Sequence, residues 1–315
     1  MNFLKASEGS STARRPRISR DKFATSRPEG FRLEGPSRHL DPRVHAYRPD
    51  IADIALAGLL FAPHYARAEH CRCIAASVSL HARPSQDAPA ISQLTHGEGF
   101  ALLDRTGAWA WGRCLHDDYV GYLPASALGP MQTPTHRVIA PLALVFASAD
   151  IKAPIATTLA IGAQVHGEEV GEYLRIPSGF IHLRHIAPLD EAVEDPVAVA
   201  ESLIGAPYRW GGRGAEGLDC SGLVQRSLEL AGIAAPRDSD MQRDQLGDPI
   251  ADGASLTRGD LIFFPGHVGF MVDSERLIHA NAYWMTTMIE PLADVVARLL
   301  PTHDTPIIAR KRIAR

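Results

Sequence analysis

From Cys73 to about Pro124 the chain alternates short apolar runs with turn residues. Cys73-Ile-Ala-Ala-Ser-Val-Ser-Leu-His-Ala, Ala90-Ile-Ser-Gln-Leu, Gly99-Phe-Ala-Leu-Leu-Asp, Trp109-Ala-Trp-Gly-Arg-Cys and Tyr119-Val-Gly-Tyr-Leu-Pro are separated by clusters such as Arg83-Pro-Ser-Gln-Asp-Ala-Pro. Period-two runs with such punctuation predict a small all-β barrel over 68–130. The same grammar returns in 131–190, from Thr135-His-Arg-Val-Ile-Ala to Gly179-Phe-Ile-His-Leu-Arg-His-Ile. Two copies of about 60 residues predict tandem barrels. Ahead of them, Asp50 and the helically spaced Ile51, Ile54, Leu56 and Leu59 predict one short helix in an arm over 41–67.

Beyond an acidic linker at 188–196 the period changes. Val197–Ile204 and Cys220–Ala231 read as helices, the second with Leu223, Val224, Leu228 and Ala231 on one face and Gly232 just past its end. Leu261-Ile-Phe-Phe, Val268-Gly-Phe-Met-Val and Leu277-Ile-His-Ala read as strands. Helices followed by an antiparallel sheet predict an α+β domain over 191–315. Residues 1–40 are rich in Arg, Ser, Gly and Pro without apolar period, the composition of a disordered tail, and its Arg14, Arg15, Arg17 and Arg20 read as solvated, with an anionic partner as the alternative.

Composition narrows the classes. With 315 residues, 45% hydrophobic and 22% charged, the chain has enough apolar material for more than one core. A net charge of -4 gives no reason to expect nucleic acid as a partner. Four cysteines are too few for a disulfide scaffold. No apolar run is long enough for a membrane span, and Met1-Asn-Phe-Leu-Lys is followed by polar residues where a signal peptide would be apolar. The expectation is a cytoplasmic, reduced protein.

The chemistry concentrates in the last domain. Cys220, in Leu218-Asp-Cys-Ser-Gly, sits where a loop enters a helix. Free N–H groups and the helix dipole at that end favour a thiolate and predict a lowered thiol pKa. His267, flanked by Gly266 and Val268-Gly269, opens the next-but-one strand, and His279 follows 12 residues later, a spacing that suits facing positions on adjacent antiparallel strands. One histidine would be the base and the other would fix its tautomer and ring plane.

Pro207-Tyr-Arg-Trp-Gly-Gly, Leu218-Asp-Cys-Ser-Gly-Leu-Val, Pro236-Arg-Asp-Ser-Asp-Met-Gln, Arg258-Gly-Asp-Leu-Ile-Phe-Phe, Gly266-His-Val-Gly and Ile278-His-Ala occur in order. This region resembles the NlpC/P60 family of cell-wall cysteine peptidases, and the upstream units resemble bacterial SH3-like domains. The resemblance implies a papain-like α+β catalytic domain with Cys220 as nucleophile, His267 as base and His279 as the residue orienting it. It also implies an oxyanion or substrate contact at Tyr208, while Trp210 is expected mostly in the core. Residues 40–315 together resemble the γ-D-glutamyl-L-diamino-acid endopeptidases of the dipeptidyl-peptidase VI type. That likeness implies cleavage of murein stem peptides bearing a free N-terminal L-Ala, without a cofactor or metal, in cell-wall peptide recycling.

A buried ammonium needs acceptors. Asp219, Glu98 and the Tyr119 hydroxyl are candidates, and the resemblance adds Ser221, Asp238 and Ser239. Three other readings compete: an exported wall hydrolase tethered by its SH3-like units, a catalytically inactive peptide-binding module, and a metal site at Cys71-Arg-Cys73 with His70 or His81. The sequence leaves the preferred diamino acid and the oligomeric state open.

Overall fold

The computed structural model describes residues 40–313. The expected disordered tail lies outside them but for its last residue. Residues 69–130 form one seven-stranded antiparallel sheet in the order 90–95, 77–81, 120–124, 109–114, 99–106, 69–73, 128–130. Its apolar face gathers Leu80, Leu94, Phe100, Leu102 and Leu123 into one core. Residues 136–188 form a three-stranded and a five-stranded antiparallel sheet around Val138, Val145, Leu174 and Ile181. The strands fall where the alternation puts them. Among the described residues, however, the pairing in both units is open-ended: the outer strands 90–95 and 128–130 of the first do not meet.

The arm departs from the expected helix. Ile51–Asp53 pairs in parallel with His64–Ala66, and only one 3-10 turn, Ile54–Leu56, forms between them. Asp53 turns its carboxylate onto the Ala55 N–H and onto Arg113 of the first β unit. These tertiary and capping contacts override a helical spacing whose Ile54 and Leu59 stay exposed. Cys71 and Cys73 pack in the first core, where burial raises both thiol pKa values. Among the described residues they do not group with His70 or His81 as metal ligands.

The last domain sets helices against a six-stranded antiparallel sheet. Helix α1 (Pro196–Ser202) is capped by Asp195. Helix α2 (Cys220–Leu230) buries Leu223, Val224 and Leu228 against Phe263, Val268, Phe270 and Ile278 of the sheet. Helix α3 (Ser239–Gln245) and helix α4 (Leu292–Leu299) complete it. The central strands Leu261–Phe264, His267–Met271, Arg276–Asn281 and Thr286–Pro291 run in sequence order, each pairing with the next.

Buried charge joins this domain to the first β unit, and the Arg226 guanidinium packs closely on the second. Glu98 accepts from the Thr95 N–H, from Arg213 at 3.0 Å and from Arg226 at 3.1 Å, with all three charged side chains out of water. Arg213 also donates to the Gln93 carbonyl at 2.7 Å. From the second unit, Gly162 (φ +82°) lies so close that a Cβ would fall 1.9 Å from Arg226 Nη1, so only glycine fits.

Candidate active site

Cys220 is the first residue of α2. The Asp219 carboxylate caps that helix by accepting the Gly222 N–H at 2.7 Å, and it also accepts the Gly211 N–H at 2.8 Å. Arg237 grips both Asp219 oxygens, at 3.0 and 2.6 Å, and donates to the Ser221 hydroxyl at 2.9 Å. The nucleophile's backbone is therefore fixed from three directions by a buried ion pair. Asp219 and Ser221 both line the cleft at Cys220, but their polar atoms are committed to this clamp. Their expected role as substrate contacts gives way to one of holding the helix start.

The backbone N–H groups of Ser221, at the helix N-terminus, and of Val268, on the sheet, act to lower the Cys220 thiol. They do not prevail. Burial, with the neighbouring Asp219 charge, pushes the Cys220 thiol up to about 12. Burial likewise, with His279 beside it, pushes the His267 imidazole down to about 3. The lowered thiol pKa read from the helix end is thus reversed, and the resting pair is a thiol and a neutral imidazole.

His267 begins the strand whose second residue, Val268, shares the buried core with Cys220. Its Nε2 lies 2.8 Å from His279 Nδ1, with ring centroids 4.9 Å apart. The two histidines meet as the 12-residue spacing predicts. His279 is buried, and its Nε2 lies 2.8 Å from Glu290 Oε1. Arg298 donates to both Glu290 oxygens, Asn281 Nδ2 to Oε1 at 3.2 Å and Trp284 Nε1 to Oε2 at 3.3 Å. Sequence reasoning missed Glu290 and Arg298. The signal was available only in part: His279 pairs with Met288, which puts Glu290 diagonally across on the same sheet face.

A cleft of about 250 Å³ opens at Cys220, lined by Ile91 and Tyr119 of the first β unit, by Trp210, Ser221 and Gly266, and by Asp238, Ser239 and Asp240 at the start of α3. Trp210, expected in the core, is 66% exposed on its rim. Tyr208 is half-buried. Burial first, then the nearby Cys220 and Asp219, pushes its phenol up to about 12, so it stays a donor. The Tyr119 hydroxyl donates to Asp238 Oδ2 at 2.9 Å. Arg43, unnoticed in the sequence, donates to the same oxygen at 2.8 Å while also pairing with Asp41 and Asp240. Glu98 lies elsewhere: its two oxygens are taken by Arg213, Arg226 and the Thr95 N–H, so it is an anchor between domains and offers nothing to a ligand.

Residues 205–294 match the model of the NlpC/P60 family, and residues 80–128 match the bacterial dipeptidyl-peptidase SH3 domain. Dipeptidyl-peptidase 6 of Lysinibacillus sphaericus is 40% identical over 90 residues, 28% of this chain and 32% of that protein. The gamma-D-glutamyl-L-lysine dipeptidyl-peptidase of Bacillus subtilis is 32% identical over 96 residues, 28% of this chain and 31% of that protein. The matches thus span about a third of the length of these relatives. An NlpC/P60 family protein from Bacillus cereus superposes with a TM-score of 0.66 at 18% identity, covering 78% of this chain and 100% of that one, a likeness of fold. On these matches, together with the site geometry, the chain carries an NlpC/P60 domain preceded by a bacterial dipeptidyl-peptidase SH3 domain.

Proposed function

We propose that the protein is a cysteine peptidase that hydrolyses the γ-D-glutamyl-L-diamino-acid bond of murein stem peptides with a free N-terminal L-Ala. Cys220 is the nucleophile, His267 the base and His279 its orienting partner. In this reading the S–H proton passes to His267 as the sulfur–carbon bond forms. The imidazolium then returns it to the leaving amine as the C–N bond breaks, and water hydrolyses the thioester. Tyr208 and the backbone N–H at the helix start are the oxyanion donors.

One observation carries the substrate reading: at the cleft end formed by Tyr119, Asp238 and Asp240, three carboxylates share one guanidinium. Asp41, Asp238 and Asp240 surround Arg43. Together they leave two net negative charges beside the cleft, the complement of a substrate ammonium. Ser239 and Tyr119 supply hydroxyls there. An amide-linked L-Ala, as in intact wall, would bring no charge to offset them. This preference fits an enzyme of cytoplasmic peptide recycling, which is the place of action we propose. The second β unit is read as a second SH3-like domain.

Mass spectrometry of products from L-Ala-γ-D-Glu-diaminopimelate and from its N-acetylated form tests this. The free-amine peptide should be cut between D-Glu and the diamino acid, and acetylation should cost about 30- to 1000-fold in kcat/KM, the scale of a lost desolvated charge pair. Equal rates on both peptides, or comparable cleavage of intact sacculi, would overturn it.

A further inference from the structure

Resting on the reading of Cys220 and His267 as the reacting pair, we propose that Glu290, held by Arg298, is a positioning residue that sets the tautomers of both histidines and leaves the His267 lone pair on Nδ1.

Glu290 is surrounded by donors from Arg298, Trp284 and Asn281, and its pKa is lowered despite burial. It is therefore ionised and can only accept. Its Oε1 lies 2.8 Å from His279 Nε2, so the proton between them belongs to Nε2. Asn281 Nδ2 also lies 2.8 Å from that nitrogen. An amide donor there would demand a bare Nε2, which would set a lone pair against the carboxylate at hydrogen-bond distance. The Asn281 amide cannot turn to relieve this, because its Oδ1 accepts the Trp284 N–H at 2.8 Å. Asn281 therefore serves the carboxylate instead.

With Nε2 protonated, neutral His279 presents a bare Nδ1. That atom lies 2.8 Å from His267 Nε2, so His267 carries its proton on Nε2 and donates it. Its remaining lone pair is on Nδ1. Each assignment forces the next, and the Glu290 charge starts the sequence. The same charge lies close enough to favour an imidazolium on His267, while Arg298 and His279 act against one. On the thiol side, Asp219 opposes a thiolate and Arg237 favours it.

Two measurements on the full chain test this, neither needing a substrate. In 15N histidine spectra, wild-type His267 and His279 should both be protonated at Nε2. Glu290→Gln, whose amide can donate as well as accept, should give a mixed His279 tautomer, and Arg298→Lys should keep the wild-type one. In the pH profile of Cys220 alkylation by iodoacetamide, Glu290→Gln should be slower by about 10²-fold near neutral pH, the scale of a general-base contribution. A wild-type His279 protonated at Nδ1 would overturn the proposal, and so would a Glu290→Gln protein with unchanged tautomers and an unchanged profile. The wild-type spectrum decides the matter even if Glu290→Gln does not fold. Failure to cleave any stem peptide, with the tautomers as assigned, would remove the peptidase reading and leave this one standing.

Discussion

Glu98 Oε2 lies 3.0 Å from the Arg213 guanidinium, and these two residues come from different domains with neither side chain reaching water. The pair extends through Arg226, which takes the other carboxylate oxygen. One carboxylate thus compensates two buried guanidinium groups, helped by Glu229 at 3.1 and 2.9 Å.

Removing that carboxylate should be costly. Glu98→Ala leaves two buried cations undercompensated, and breaking such a pair costs about 3–5 kcal/mol. Because Arg213 leads into the segment carrying Asp219 and Cys220, activity should fall together with stability. Urea unfolding of the variant should show the loss, and a change under about 1 kcal/mol would contradict a structural role. The network also predicts acid sensitivity. The Arg213 and Arg226 charges, outweighing burial, lower the Glu98 carboxyl to about 2. Its contribution is complete above the unfolded value of about 4.3 and is lost as pH falls from there toward 2.

How far the sequence disclosed this molecule depends on how local each signal is. The His267–His279 contact and the place of Cys220 at a helix start were legible because each is marked within a few residues of sequence. Glu290 was not. It sits on the strand after the 282–285 turn, and its place beside His279 depends on the register of two strands, which the residues around it do not fix. The Glu98 role was misread for the related reason that its partners Arg213 and Arg226 are more than a hundred residues away. The sign of the Cys220 shift failed too, since the helix end is local and the burial that outweighs it comes from the sheet and the first β unit. The arm failed because Asp53 finds Arg113, a tertiary partner that apolar spacing does not encode.

Neutral burial of the histidines gives stability a second, milder pH dependence. His267 and His279 both have lowered pKa values, chiefly through burial. The unfolded chain therefore binds protons near pH 6.5 that the folded chain refuses, and stability falls as pH drops below that value. His96 and His185 act in the same direction, while His116, raised by Asp117 and Glu98, opposes them. Each neutral histidine contributes up to about 1.4 kcal/mol per pH unit in this window. Melting temperatures between pH 7 and 5 should fall for the wild type and fall less for His267→Gln. A steeper fall in the variant would contradict the assignment.

The sheet itself limits what can stand opposite the orienting histidine. Continuing the register in which Phe270 pairs with Ile278 places Gly269 across from His279. A Cβ on Gly269 would fall 2.8 Å from the Ile278 carbonyl oxygen and 3.0 Å from His279 Cβ. Neither neighbour is the free end of a flexible side chain, so the two strands must part locally. Gly269→Ala should cost about 1–3 kcal/mol, the scale of overpacking in a tight interior. The loss should also reach the site, because His279 is held between His267 and Glu290 by two contacts of 2.8 Å, and a shift of its backbone lengthens at least one. Well below the melting temperature, where the variant is still folded, Cys220 alkylation by iodoacetamide should therefore be slower than in wild type. A Gly269→Ala protein that lost stability but kept the wild-type alkylation rate would show that the histidine pair tolerates movement of the strand beneath it.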